Sequence, residues 1–209
     1  MSGKEVFARV TALGTATIGE VLPHARVLDT GVRALAPGMV AAGPAFTVRC
    51  RPGDNLALHL AVAEVQPGQM LVVDYGGSLG SGPFGEILAL ACQVRGVAGL
   101  VIDGAVRDSA QIAALGFPVF ARGLNIRGTT KDDPGEIGGA VQLAGVEVRT
   151  GDIVVADADA VLIFSAEDLE SAVENGDERS AKEKRMVERL MGGETTLQIL
   201  GLQPTGRKT

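Results

Sequence analysis

The sequence predicts a layered α/β domain with a mixed central sheet and helices on both faces, and three observations carry that prediction. Two short apolar runs, Met70 to Asp74 and Gly99 to Asp103, each end in an acid and each lead toward a helical pattern, which places two β-α units in series. At 209 residues the chain can bury a substantial core as one domain, and nothing in its composition shifts abruptly enough to mark a second. Hydrophobic residues make up 46%, glycine supplies 29 positions and aromatics only 3%, so the core must be built from Val, Leu, Ile and Ala at close approach.

In chain order, the N-terminal segment reads as two short helices, the second announced by Thr17 with Glu20 three residues later, the spacing of a capping box. A β-rich stretch through Thr47, Val48 and Arg49 follows Pro37-Gly38. Asp54, after Pro52-Gly53, caps a predicted helix over Leu56, His59, Leu60 and Ala63 that Pro67-Gly68 terminates. The strand ending at Asp74 gives way to a close-approach loop from Gly76 to Pro83, which has no Walker or dinucleotide spacing. Next comes a helix with Ile87, Leu88, Ala91 and Val94 on one side, stopping at Gly96. The strand ending at Asp103 turns at Gly104 into Arg107-Asp108, and Ile112, Ala113 and Leu115 suggest another helix. Further strands are predicted at Pro118 to Ala121, Val141 to Val148, Asp152 to Ala156 and Val161 to Phe164. The C-terminal part, about residues 165–200, reads as a helical tail: Ser165 and Asp168 cap one helix, and a longer one spans about Asp177 to Leu190 before Gly192-Gly193.

Composition narrows the function classes. The net charge is −6 and the basic residues are spread along the chain, without the clustered positive charge that a phosphate backbone demands, so no nucleic-acid partner is expected. No apolar run approaches the roughly 20 residues of a membrane span, and the N-terminus is charged, so a cytoplasmic protein with no membrane partner is expected. Cys50 and Cys92 each lie inside an apolar pattern and read as buried thiols.

The chemistry concentrates where the second strand ends. There Arg107 offers planar, two-pronged recognition of a carboxylate, and the adjacent Asp108 offers hard oxygen to a hard divalent cation. The same dipeptide would also suit a helix's first turn, with one residue exposed and the other capping. Gly85 and Glu86 open the preceding helix, where backbone N–H groups lack helical partners and the dipole favours an anion, although Glu86 could equally be a dipole-complementing acid. Glu183 shares a helix face with Met186, Val187 and Leu190, so a carboxylate sits on an otherwise apolar stripe. His59, with only His24 as company, cannot build a histidine metal site and reads as a core or interface residue. Asp74 and Asp103 read as supporting acids or turn caps.

The stretch FGEILALACQVRGVAGLVIDGAVRD, Phe84 to Asp108, resembles the core of the 4-hydroxy-4-methyl-2-oxoglutarate aldolases and of the similar proteins described as regulators of ribonuclease E activity, the RraA-like family. The segments DNLALHLAVAEVQPGQMLVVD and AKEKRMVERLMGGETTLQILGL extend the likeness over most of the chain. The resemblance implies an RraA-like α/β/α sandwich and a pyruvate-releasing lyase. In it Arg107 binds the substrate's carboxylate and oxo region and Asp108 anchors Mg2+ or Mn2+ otherwise ligated by water; the amides from Gly85 through Glu86 and Ile87 to Leu88, read from their place at the helix start, are expected to help fix the substrate. The aldolase motif is an Asp, twenty residues, then Arg-Asp; this chain has Glu86 at the first position, an arm longer by one methylene. The resemblance further implies a homotrimer or homohexamer in which a glutamate of the C-terminal helix, here Glu183, enters a neighbouring subunit's site.

Cleaving a bond next to a 2-oxo group leaves an enolate of pyruvate, which needs an electron sink: a Schiff-base lysine or a metal. The five lysines, Lys4, Lys131, Lys182, Lys184 and Lys208, all lie in polar or terminal contexts, which favours the metal. Glu183 or Glu86 would then manage proton transfer through water, and oxaloacetate decarboxylation, which forms the same enolate, is an expected second activity. The competing reading is a non-catalytic protein that binds and restrains a ribonuclease. Family members that lack aldolase activity lose the acid of the Arg-Asp pair, and Asp108 is retained.

Overall fold

The computed structural model describes residues 3–202; Lys208 and the side chain of Lys4 lie outside the described residues. Helix α1 (Gly3–Val21) is two helices joined at Gly14, whose φ of 77° breaks the helical path. The second helix is capped from afar: Asp157 accepts from the Thr15 N–H and hydroxyl, both at 2.7 Å, so the predicted cap at Thr17 is displaced toward the break. There follow β1 (Arg26–Val27), β2 (Arg33–Ala34), β3 (Ala41–Arg49), α2 (Leu56–Glu64), β4 (Met70–Ser78), α3 (Glu86–Val94), β5 (Gly99–Val106), α4 (Ser109–Leu115) and β6 (Val119–Leu124). The remainder is β7 (Glu136–Ile137), β8 (Ala140–Leu143), β9 (Val146–Arg149), β10 (Ile153–Ala156), β11 (Val161–Phe164), α5 (Leu169–Met191) and α6 (Thr196–Leu200).

The sheet is mixed, in the order β1-β11-β10-β3-β4-β5-β6-β2, with β7 paired to β3. Strands β3 to β6 run parallel, and α2, α3 and α4 are their crossovers. The other pairings of this sheet are antiparallel. All eight residues of β5 are buried, as expected for a central parallel strand covered on both faces. Alternate residues of β10 divide between two apolar clusters: Ile153 and Val155 pack with α1 and α5, whereas Val154 and Ala156 join the cluster containing α2, α3 and α4. That alternation puts helices on both sides of the sheet. Cys50 and Cys92 are buried free thiols whose pKa values burial pushes up to about 12, as the apolar pattern around them predicts.

Several boundaries differ from the sequence-based ones, each for a local reason. Strands β4 and β5 continue past Asp74 and Asp103 because register shifts let the pairing resume at Ser78 with Gly104 and at Ala105 with Gly123. The predicted strand from Val141 to Val148 is a hairpin, turned by Ala144 at φ 49° and Gly145 at φ 84°, values that match the handed twist of tight hairpins. The C-terminal helix is continuous over 23 residues, because Gly176 does not break it but lets Leu13 approach, where an added Cβ would lie 2.7 Å from Leu13 Cδ1. Ser165 accepts from the Glu167 N–H as predicted, while Asp168 caps nothing and pairs with His24 at 3.0 Å. The buried face of α3 is Leu88, Ala89 and Cys92; Ile87 and Val94 point outward.

Candidate active site

Of the predicted residues, Gly85, Ile87, Leu88 and Arg107 line one cavity of about 280 Å³, while Asp108 is not among its lining residues and meets it through Arg107 and the start of α3. Its walls are Asn55 and His59 at the start of α2, Pro83 and Gly85 before α3, Ile87 and Leu88 in the first turn of α3, Arg107, and a strap contributing Gly128, Thr129 and Lys131. Phe84 anchors the middle wall. It is fully buried, stacks on Phe117 with ring centroids 6.2 Å apart, and its carbonyl accepts from the Arg107 N–H at 2.9 Å. A packed aromatic ring thus sets the height at which Arg107 leaves the sheet.

Asp108 follows with φ 56° and ψ 40°, a left-handed conformation that costs a non-glycine residue free energy and therefore marks a constrained position. Its side chain does not cap α4, so the first-turn capping alternative fails. Instead Asp108 Oδ2 accepts from the Glu86 N–H at 3.1 Å and lies 3.6 Å from Arg107 Nε. The carboxylate therefore bridges the start of α3 and the guanidinium while both side chains stay about 40% exposed (43% for Arg107, 37% for Asp108). Only glycine fits opposite them. A Cβ on Gly85 would stand 2.3 Å from Asp108 Oδ2 and 3.0 Å from Arg107 Cγ and Nε.

The first intrahelical bond of α3 runs from the Ala89 N–H to the Gly85 carbonyl, so the N–H groups of Ile87 and Leu88 have no acceptor within the helix. Both residues line the cavity with Arg107 and Lys131, and no acid appears among its lining residues. This is an electropositive recess fitted to an anion. Glu86 gives its backbone N–H to Asp108 but is not among the lining residues. Glu183 lies apart from the cavity, 47% exposed, with Arg179 3.0 Å from its carboxylate. On this chain its stripe is not a buried face, since Val187 and Leu190 are exposed with it.

His59 is not a core residue. It is exposed on the cavity wall, and partial burial together with the charge of Lys131 holds its pKa below the ordinary range. Asp74 caps a turn through the Gly76 N–H and meets Arg49, while Asp103 pairs with Arg122 and accepts from the Ala144 N–H; neither reaches the cavity.

Asn55, Thr129 and Lys131 had no place among the sequence-based site residues. The signal that joins them is Asp54, 1% exposed, which accepts from the Leu56 N–H at 2.9 Å, the Asp132 N–H at 2.8 Å and the Thr130 hydroxyl. Burial raises the pKa of this carboxyl, but those hydrogen bonds outweigh it and hold the group well below the usual carboxylate range. The strap is further stitched by the Asn55 N–H to Thr130 O and the Thr130 N–H to Gly53 O. Tyr75, the only tyrosine, receives the Gly53 N–H at 2.7 Å and meets Ser81 Oγ at 2.8 Å, tying two walls together.

Residues 15–163 match the RraA-like family, described as Aldolase/RraA. A protein of Halalkalibacterium halodurans provisionally named a 4-hydroxy-4-methyl-2-oxoglutarate aldolase is 32% identical over 170 residues, which cover 81% of this chain and 81% of that protein. Among solved structures, Streptomyces coelicolor RraAS2, described as an unusual member of the RNase ES inhibitor RraA protein family, superposes with a TM-score of 0.79 and 28% identity over 88% of this chain and 98% of its own. An uncharacterized protein of Pseudomonas syringae pv. tomato str. DC3000 superposes with a TM-score of 0.86 over 96% of this chain and 95% of its own; at 22% identity the likeness is one of fold. No helix among the described residues is long and apolar enough to cross a membrane.

Proposed function

This chain belongs to the RraA-like family of aldolases and RraA proteins, and on that footing we propose that it is a divalent-metal-dependent lyase. Its substrate is 4-hydroxy-4-methyl-2-oxoglutarate or a related 4-hydroxy-2-oxo dicarboxylic acid, its product is pyruvate, and it decarboxylates oxaloacetate as a second activity. The observation that carries the reading is the cavity itself: Arg107 and Lys131 both line it, Ile87 and Leu88, whose amides lack acceptors within α3, line it with them, and no acid joins them in its lining. A dianionic oxo acid suits that arrangement, because the guanidinium takes one carboxylate in two-pronged fashion and the amides take the adjacent oxygens.

The donor set beside the cavity fits a hard cation held chiefly by water and substrate. Asp108 supplies one half-exposed carboxylate, and among the described residues no group of three or more His, Cys, Asp or Glu could form a protein cage. Magnesium and manganese accept such sites, keeping waters and taking one or two carboxylates. Bound there, the cation would supply Lewis-acid stabilisation of the charge that develops on the oxo acid. The chain's own residues do the rest: Arg107 fixes the carboxylate, Gly85 keeps Asp108 and Arg107 at close approach, and Glu86 or Glu183 exchanges a proton through water.

Glu183 would do so from a neighbouring subunit of a trimer or dimer of trimers. In its support, the helical tail of about residues 165–200 carries Val187, Leu190 and Met191 exposed beside it, and Ile87 and Val94 are exposed on α3. Pyruvate release from oxaloacetate before and after treatment with a chelator tests the scheme. Loss of turnover that returns with magnesium or manganese is expected, and turnover indifferent to metal removal contradicts it. Inhibition of a ribonuclease by a protein that releases no pyruvate from any oxo acid would favour the regulator reading, which the likeness to RraAS2 keeps in view.

A further inference from the structure

The cavity wall contains a polar atom for which the chain provides no partner. Asn55 is 6% exposed and lines the cavity. Its Nδ2 donates to the Pro83 carbonyl at 2.8 Å, which fixes the amide's orientation because that carbonyl can only accept. Its Oδ1 is left buried with no hydrogen-bond partner among the described residues. Buried acceptors are almost always satisfied, so one buried without a partner in a residue that lines a binding cavity points to a donor that arrives with the ligand as the wall adjusts to it.

The neighbouring groups say what kind of ligand carries that donor. His59 follows one helical turn along α2, and Lys131 and Thr129 come from the strap that Asp54 holds against the start of that helix. An ammonium and an unpartnered carbonyl oxygen in residues of one cavity lining match a carboxylate whose adjacent carbon bears a hydroxyl: the carboxylate meets Lys131 and the hydroxyl donates to Asn55. Oxaloacetate has a second carboxylate but no such hydroxyl.

We propose that Asn55 is a specificity-determining residue whose Oδ1 accepts a hydrogen bond from the hydroxyl next to the substrate's distal carboxylate, so that the site prefers hydroxylated dicarboxylic acids. The inference rests on the lyase reading for the identity of the substrate, and it deepens that reading by choosing between the two substrates named there. Asn55 accepts that O–H in the bound ground state and gives it up to the water-borne base for cleavage, so its removal raises KM for the hydroxylated substrate more than it lowers kcat.

The test compares wild type, Asn55→Ala and Asn55→Asp, the last of which keeps an oxygen acceptor and loses the bond to Pro83. In the turnover arm, the ratio of kcat/KM for 4-hydroxy-2-oxoglutarate to that for oxaloacetate falls about tenfold in Asn55→Ala, the worth of one hydrogen bond, and holds in Asn55→Asp. In the binding arm, ligand-observed NMR with a chelator present compares malate with succinate, which differ by one hydroxyl. Wild type prefers malate, Asn55→Asp keeps the preference and Asn55→Ala loses it. An equal loss in both variants would assign the effect to the Pro83 bond and overturn the inference, as would a wild type that binds malate and succinate alike. A malate preference that depends on Asn55 in a protein releasing no pyruvate would instead remove the lyase reading and leave the hydroxyl contact standing.

Discussion

Two arginine–aspartate pairs stand along β5, one anchored within the strand and one just past its end, and they have opposite characters. Asp103, within β5, is buried; it pairs with Arg122 through one oxygen and takes the Ala144 N–H at 2.9 Å through the other. Arg122 in turn reaches Asp29 at 3.0 Å, and its hydrogen bond to Asp103 holds its pKa above the ordinary range. Every charge there is answered from within the chain. Asp108, just past the end of β5, lies 3.6 Å from Arg107, beyond hydrogen-bond length, and both groups keep donors and acceptors to spare. The difference teaches that in this fold a closed ion pair fastens a hairpin, whereas an open one is available to bind.

The comparison breaks or holds on a paired experiment. Asp108→Ala is expected to lower pyruvate release about 10³-fold, roughly 4 kcal/mol of barrier, while changing stability by less than about 1 kcal/mol. Asp103→Ala is expected to do the reverse. It strands a partly buried guanidinium and an amide, so unfolding free energy should drop by about 3 kcal/mol in denaturant titration, with pyruvate release per folded molecule retained. Full activity in Asp108→Ala, or an Asp103→Ala protein that is stable and inactive, would show that the two pairs have been assigned the wrong way round.

A third variant sharpens the contrast by moving the open pair without removing it. In Gly85→Ala the new Cβ would meet Asp108 Oδ2 at 2.3 Å and Arg107 at 3.0 Å, so one of them must shift. A displacement of that size is expected to cost about 100-fold in kcat/KM. Gly80→Ala is the control, since its Cβ meets only Ser78 Oγ at an ordinary 3.6 Å and Gly80 is not on the cavity wall. Equal kinetics for the two variants would mean that the close approach at Gly85 has no bearing on turnover.

The parts of this arrangement that could be read from the sequence are those in which local pattern and tertiary position coincide. The strands ending near Asp74 and Asp103 are apolar runs bounded by glycine and acid, so the two β-α units and the place of Arg107-Asp108 follow from neighbours in the chain. The hairpin β8–β9 was hidden because its turn begins at Ala144, a residue that rarely takes φ 49° and here reads as more strand. The tail reads as two helices with the longer one starting near Asp177, yet it is one helix, and the missing Cβ of Gly176 is what lets Leu13 of α1 approach α5. Lys131 and Asn55 escaped for another reason. The polar run 127–133 has no periodicity, and its place over α2 is set by one buried carboxylate, Asp54, 78 residues from its partner Asp132. No window of local sequence holds both ends of that clasp.

Asp54 also supplies the smallest predicted effect, and the one most particular to the strap. Its folded pKa is depressed by the donors from Thr130, Asp132 and Leu56, so the stability it contributes is complete above the unfolded value, near 3.9, and is lost as pH falls toward the folded one. Between pH 7 and pH 3 this single group should withdraw about 1 kcal/mol. Asp54→Asn cannot titrate, so its unfolding free energy should fall by about 1 kcal/mol less than that of wild type over the same interval. Identical acid losses in the two proteins would mean that the strap is not held by this carboxylate. In that case the meeting of Asn55 and Lys131 on one cavity wall would need another cause than a charge buried between α2 and residues 130–133.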